Sequence, residues 1–379
     1  MRKKQNTTPL PVMLVCAAVF YIFTFLLIYI YQTATLTFAQ HVLSGGVTFY
    51  HPFVSTLLIC VMCCIIQQLM HHATSLRPEL HVITYAPSFL VLAVMTAINQ
   101  DPSGGITMRS WVGWLPFAVI IILFLIIKVQ GSLITPPQQK TGFATSRTLS
   151  TNIIIMTLMM VLTANAANGD ELLHRRVRAE RMMLHSEYND VVVAERSNSL
   201  YNTFPSDFPE GEVPYLSTDT TLTLMRFIAL DKRHLLADSL FTQPVAASSA
   251  SLLKMQGVHP LLFKQSFLRR SKSSDYILCS MLADCDLDAF ARKFSTLYPD
   301  SIPYDSIPRH YREAVVIYCH TRSNPIIQQR DSVIEADYRD MRSMIRSTPD
   351  KAKRKHTLWT YYRNTYWYYY LSHQEEHFR

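Results

Sequence analysis

Glycine is scarce in this chain, with ten in 379 residues. Little material is left for loops that cradle phosphates, and neither a phosphate-binding loop nor a dinucleotide fingerprint occurs. A nucleophile elbow and a zinc-protease helix motif are missing as well, which argues against the commonest enzyme classes. Acidic residues are almost missing from the first 169 positions, where Glu79 and Asp101 stand against 8 Lys/Arg, a net of +6. Residues 170–379, by contrast, hold 28 Lys/Arg and 26 Asp/Glu, a net of +2. Such a split is the signature of a transmembrane domain over 1–169 followed by a soluble domain over 170–379.

Long apolar runs fill the first part. Four carry no charge: Leu10–Tyr31, Phe53–Met70, Val82–Ile98 and Trp111–Ile127. Each has the roughly 17–22 residues that a helix needs to cross about 30 Å of hydrocarbon. Tyr21, Tyr29, Tyr31, Tyr50, Trp111 and Trp114 lie in or near the expected interface belts. A fifth uncharged stretch, residues 148–169, is strongly apolar only over Ile153–Leu162 and reads as a short span at about 150–167. Its Ala164-Asn165-Ala166 also has the small-x-small form that signal peptidase accepts, and a buried soluble helix would carry the same pattern.

Loop cations set the orientation. Arg2, Lys3, Lys4, Arg77, Lys128, Lys140 and Arg147 place the N-terminus and the second and fourth loops in the cytoplasm. The first loop, 32–52, has no Lys or Arg, and the third has only Arg109 balanced by Asp101, so both read as external. Five crossings of a bacterial inner membrane would then put the C-terminal domain in the periplasm. Arg175, Arg176, Arg178 and Arg181, just past the fifth run, oppose that export.

The second part has a helical period. Ile334, Tyr338, Met341 and Ile345 share one face, as do Leu222, Met225, Ile228 and Ala229, and again Ala289, Phe290, Phe294 and Leu297. Asp286 is placed to cap the last of these and Pro299 to close it. The β-branched runs here, such as Val191-Val192-Val193 and Val315-Val316-Ile317, are short and sit inside helical periods. The expected fold class is all-α: a transmembrane helix bundle, then a soluble helical domain. Expected helices are 171–184, 187–197, 218–230, 233–241, 274–283, 286–298, 309–321, 331–346 and 356–372, separated once by an irregular connection from Phe204 to Pro214. Successive pairs suggest a tetratricopeptide-like solenoid, although no 34-residue repeat signature is present.

Candidate chemistry is thin. His71, His72 and His81 form the densest histidine group, but adjacent helical residues point about 100° apart and Glu79 is the one carboxylate near; they read as interface histidines rather than a metal site. Cys60, Cys63 and Cys64 lie mid-span as small hydrophobes. Cys279, Cys285 and Cys319 are odd in number, which prevents complete internal pairing; unpaired buried thiols are the default reading, and a Cys279–Cys285 disulfide is the alternative for an exported domain. The four clearest spans hold essentially no ionisable residue, which argues against a pump or ion-coupled transporter. Asp101, with His41 or His51, is the external-loop set that a membrane enzyme acting on a lipid-linked or glycan substrate would use. Lys351–Lys355 precedes eight aromatics between Trp359 and Tyr370; basic charge beside aromatics suits a polyanion or anionic lipid, and equally a solvated helix start before a packing helix. No catalytic, metal or cofactor residue is assigned, no nucleic-acid partner is expected, and binding residues stay unknown.

The stretch Tyr298–Tyr318, with Ile307-Pro308-Arg309, Tyr311 and Glu313-Ala314, and the later Thr365-Tyr366-Trp367-Tyr368, resemble the closing region of an uncharacterised bacterial family of multi-pass membrane proteins. A vaguer match is Leu235–Val245. The resemblance implies a block of spans followed by a helical, tetratricopeptide-like region, and no activity. The expected role is display of a helical domain to a protein partner, or scaffolding of an envelope complex, with the lipid bilayer as the other partner.

Overall fold

Inside a bilayer every backbone N–H and C=O must be paired within the protein, so uncharged runs of this length fold as helices. The computed structural model describes residues 9–73, 78–101, 104–115, 142–197, 219–242, 245, 249–254, 258–263, 267, 273–299, 302–328 and 331–377. It falls into two units, residues 1–177 and 178–379. Regular structure among the described residues is helical apart from one two-stranded hairpin.

Four helical stretches of the first unit are long and apolar enough to cross a membrane: 10–31, 52–73, 78–96 and 146–166. Helix α1 (Leu10–Leu26) continues through a π-helical turn to Tyr31. A further helix, α2 (Thr33–Leu43), occupies much of the segment read above as the first loop. Then comes α3 (Pro52–Ala73), and a 3-10 segment, Pro78–Tyr85, leads into α4 (Ala86–Thr96). Pro87 has no N–H to give to a preceding turn, so a regular helix starts afresh there. Ile98, read from the sequence as the end of a span, instead begins β1 (Ile98–Gln100), which pairs antiparallel with β2 (Ile106–Met108). Trp111 and Trp114 lie on a 3-10 turn, Ser110–Trp114; the remainder of the apolar run from residue 116 lies outside the described residues, as does the polar break at 136–139. The shorter fifth run forms α5 (Gly142–Ala166).

Packing in this unit is inverted relative to a water-soluble bundle. Leu14, Ile22, Leu58, Leu69, Ile154 and Leu162 are each more than half exposed, with Ile154 at 69%. Thr24, Thr56, Ser88, Thr96 and Asn152 are fully buried. Apolar surface of that extent is what lipid covers, while small and polar side chains face neighbouring helices. Phe20 sits at the centre, its ring 4.9 Å from Phe89 and 5.0 Å from Tyr85. Asn152 of α5 repairs the irregular 3-10 segment: its Oδ1 accepts from Val82 N (2.9 Å) and its Nδ2 donates to Pro78 O (2.9 Å). Ser88 Oγ donates to Cys63 O at 3.0 Å, tying α4 to the middle of α3.

The second unit has α6 (Glu171–Leu184, reaching in from the first), α7 (Tyr188–Ser197), α8 (Thr220–Lys232), α9 (Leu236–Ser239), α10 (Ser249–Lys254), α11 (Ser274–Ala283), α12 (Leu287–Leu297), α13 (Arg309–Thr321), α14 (Ser332–Ser347), α15 (Lys351–Tyr362) and α16 (Tyr366–His377). Starts are set by side-chain caps. Asp219, Ser273, Asp286 and Asp331 each accept from amides in the first turn of the helix that follows, at 2.9–3.1 Å. Three helix pairs, α6–α7, α8–α9 and α11–α12, turn in the same way. Ser186, His234 and Cys285 have φ near +60°. In each case two amides reach back to the closing turn: Ser186 N to Met183 O and Glu187 N to Met182 O, His234 N to Asp231 O and Leu235 N to Leu230 O, Cys285 N to Leu282 O and Asp286 N to Met281 O. That is the Schellman pattern, which usually uses glycine at the left-handed residue. A chain this poor in glycine builds it from other residues.

One correction follows. The single helix expected over 356–372 is divided, because the chain turns at 363–365 and Thr365 Oγ1 accepts from Tyr368 N (3.2 Å) as a new N-cap. No disulfide joins Cys279 to Cys285; both are free thiols, with Cys279 fully buried on α11 and its Sγ 3.5 Å from Tyr311 Oη. Burial pushes the Cys285 thiol up to about 12. The connection at 204–214 lies outside the described residues.

Candidate functional site

Three helix ends of the first unit meet at one level. Gln32, just past α1, donates through Nε2 to Asn168 O at 3.0 Å. Asn168, just past α5, gives its amide to Thr96 O at 2.7 Å and its side-chain Nδ2 to Ile98 O at 2.6 Å, both at the end of α4. Arg109, leaving β2, donates from Nη1 to Ala167 O at 2.7 Å and more loosely to Asn165 O and Ala166 O, so a guanidinium covers the carbonyl end of α5. Asp170 then caps α6 by accepting from Leu173 N at 3.1 Å. Asn99, Arg109, Ala164, Asn165, Ala167, Asn168, Gly169 and Asp170 line a polar cleft of about 440 Å³ at this level. Arg109 and Asp170 face it with opposite charge, and among the described residues Arg109 Nε, Arg109 Nη2 and Asp170 Oδ2 make no hydrogen bond.

The external-loop trio lands on three separate segments. His41 lies in the last turn of α2, its ring against Gly46, where an added Cβ would come within 3.1 Å; partial burial lowers its pKa. His51 is exposed and precedes α3. Asp101 opens the hairpin turn, its amide donating to Gly105 O at 2.9 Å. His71 packs edge-on to His81 at 5.3 Å between centroids and lies 5.9 Å from His72. Among the described residues no group of three His, Cys, Asp or Glu is arranged to hold a metal ion. Lys351–Lys355 forms the first turns of α15, and the ring of Trp359 farther along is buried, with the Arg363 guanidinium 4.6 Å above it.

The motif residues of the second unit meet in a buried knot. Glu313 on α13 is wholly enclosed, and its carboxylate accepts from Arg309 Nε (2.8 Å), His310 Nδ1 (3.0 Å) and the backbone N of Tyr366 (2.7 Å). Trp367 Nε1 donates to Glu313 O at 2.9 Å. Tyr366 and Tyr369 hydroxyls donate to Leu282 O and Ala283 O at 3.2 and 2.6 Å, and both rings pack on Phe241. Helix α16 therefore turns back across α13 and the end of α11. Tyr311 donates to Asp275 Oδ1 at 2.9 Å, and burial drives its pKa well above the usual phenol range.

Residues 262–373 match a family model described as a family of unknown function (DUF6057). No curated protein and no solved structure matches the chain. The DUF6057 stretch holds both quoted motifs and every member of the Glu313 knot except Phe241. These residues lie in the core, with Trp367 and His310 each 1% exposed, so their geometry is that of packing and helix registration. The cleft beside Arg109 lies outside the DUF6057 match. Sequence reasoning took Arg109 only as a topology signal. Nothing near it in the sequence announces that a residue 58 positions later supplies its acceptor.

Proposed function

We propose that this is an integral inner-membrane protein that holds its helical second unit outside the cytoplasm, where it binds a protein partner or scaffolds an envelope complex. The observation that carries the sidedness is the direction of α4 and α5. Asn152, in the first half of α5, bonds Pro78 and Val82 in the 3-10 segment that leads into α4, and the ends of the two helices are joined through Asn168 with Thr96 and Ile98. The two helices run the same way, so the chain leaves α4 on one face and enters α5 on the other. Helix α1 ends on the exit face too, through Gln32 and Asn168, and α3 runs opposite to α4, with Gln67 beside Thr84 and Cys63 beside Ser88. An additional crossing between Arg109 and Ser146 completes this path, and Trp111–Ile127 is the apolar run available for it. The N-terminus then lies opposite the exit of α5, and the sequence cations Arg2, Lys3, Lys4, Arg77, Lys128, Lys140 and Arg147 are assigned to the N-terminal side, with Arg175, Arg176, Arg178 and Arg181 opposed to it.

Partner binding is supported by Ile326, Val333 and Tyr361, which are 59%, 68% and 73% exposed on successive elements of the second unit. The test is a pair of C-terminal fusions read in intact cells. Active alkaline phosphatase with a dark fluorescent protein is the expected pattern; the reverse pattern would place the second unit in the cytoplasm. Photo-crosslinkable residues at 326, 333 and 361 should give a discrete heterologous adduct. Labelling no stronger than at Arg339, a solvent-facing position of α14, would remove the partner-binding reading.

A further inference from the structure

The cleft at the helix ends carries one step more, and that step rests on the membrane reading above. It is lined by the last turn of α5 and the residues just beyond, and α5 from 146 to 166 is about as long as hydrocarbon is thick. The cleft thus falls at the depth of lipid headgroups. Trp111 and Trp114 follow Arg109 directly on the 3-10 turn, and Trp114 is 71% exposed, as expected of a side chain at the bilayer–water boundary. Arg109 spends one nitrogen, Nη1, on the carbonyl end of α5, while Nε and Nη2 keep donors for a phosphate. Asp170 spends Oδ1 on its capping bond and keeps Oδ2 as an acceptor for a cation. An anion alone would meet Asp170, and a cation alone would meet Arg109.

We propose that this cleft takes the headgroup of an amine-bearing phospholipid, the phosphodiester on Arg109 and the primary ammonium on Asp170. Asn99 Nδ2 adds a second donor on the phosphate side, since its Oδ1 is held by Gln100 N at 2.8 Å. The ligand is zwitterionic, and the site discriminates against lipids that lack either charge.

The test uses the purified full-length chain in detergent, titrated with short-chain phosphatidylethanolamine, phosphatidylcholine and phosphatidylglycerol and with soluble O-phosphoethanolamine. Bound lipid is counted by native mass spectrometry. Phosphatidylethanolamine should bind about two- to fivefold more tightly than phosphatidylglycerol, the size of one partly exposed charge pair, and more tightly than phosphatidylcholine, whose quaternary ammonium has no N–H to give Asp170. Asp170→Asn keeps the helix cap, since asparagine caps as well as aspartate, and should remove the advantage over phosphatidylglycerol. Arg109→Gln should weaken phosphatidylethanolamine, and Arg109→Lys should restore part of the loss, which separates a charge effect from damage to the end of α5. Equal retention of the three lipids, or an unchanged preference in Asp170→Asn, would overturn the assignment. Competition by O-phosphoethanolamine as strong as by the lipid would overturn the lipid as source. Extraction of the chain from membranes by alkaline carbonate is the separate readout that would bring down the membrane reading itself.

Discussion

Replacing Glu313 by Gln changes one atom and tests whether the Glu313 knot holds the second unit together. Gln keeps the volume and one acceptor oxygen, so the bond from Tyr366 N survives. The same oxygen accepts from His310 Nδ1, so that bond survives without its charge, and the other oxygen becomes an NH2 directed at the Arg309 Nε donor. Arg309 is 52% exposed and turns to water at a cost below about 1 kcal/mol. His310 and Tyr366 are enclosed, and the change to a neutral acceptor weakens each bond from about 1.5–3 to about 0.5–1.5 kcal/mol. Relief of the buried charge offsets part of this, and the uncompensated donor adds to it. The expected net loss is about 1–3 kcal/mol. Two units in one chain make a single global unfolding transition a poor measure. The assay is therefore amide hydrogen exchange across residues 366–370, where that loss appears as roughly 5- to 150-fold faster opening. Exchange within about threefold of wild type would refute the reasoning and leave the aromatic contacts of α16 as the whole of its attachment.

Other expectations follow from the same structure. Trp367→Ala removes a side chain 1% exposed and should cost about 3–5 kcal/mol, seen as a lowered unfolding midpoint of the second unit; unchanged stability with lost partner binding would make it a contact residue instead. His234→Gly relieves a left-handed residue with φ +55° on an exposed turn and should be neutral to stabilising by up to about 1 kcal/mol in chemical denaturation, whereas a loss above that would mean the imidazole makes the turn. Cys285, its thiol raised to about 12, should resist maleimide at pH 8.5, where an ordinary thiol near 8.5 is half ionised. Because the shift is upward, raising the pH from 7 to 9 should barely help until the unit unfolds; rapid labelling of native protein would contradict the burial.

How much of this was legible in the sequence depends on range. Asp286 could be read as a cap because its acceptor role is satisfied three residues on, at Ala289. Helix faces such as Ile334, Tyr338 and Met341 were legible because an amphipathic period repeats locally, and all three are buried. The break at 363–365 was not. Eight aromatics between Trp359 and Tyr370 carry no breaker stronger than Asn364, and what redirects the chain is the Glu313 carboxylate, 53 residues away, holding the amide of Tyr366. The three matching turns at Ser186, His234 and Cys285 were hidden for a related reason. Glycine normally marks a left-handed closing residue, and here serine, histidine and cysteine occupy it, with no shared letter to align.

The membrane half repeats the lesson with opposite consequence. Uncharged length gives helices from composition alone, because the bilayer leaves the backbone no alternative. It does not give their direction past a gap. That comes from two asparagines, 152 within α5 and 168 just past it, bonded to the segment that leads into α4 and to the residues at its close. Either would read in sequence as an unremarkable polar residue near a span boundary. Together they act as a ruler, and the parallel course they give α4 and α5 is what lets the proposed sidedness be argued from geometry as well as from loop charge. If Asn152→Ala and Asn168→Ala each left the fusion pattern intact while destabilising the first unit, the ruler would be a consequence of insertion rather than its guide. The parallel course of the two helices would stand unchanged.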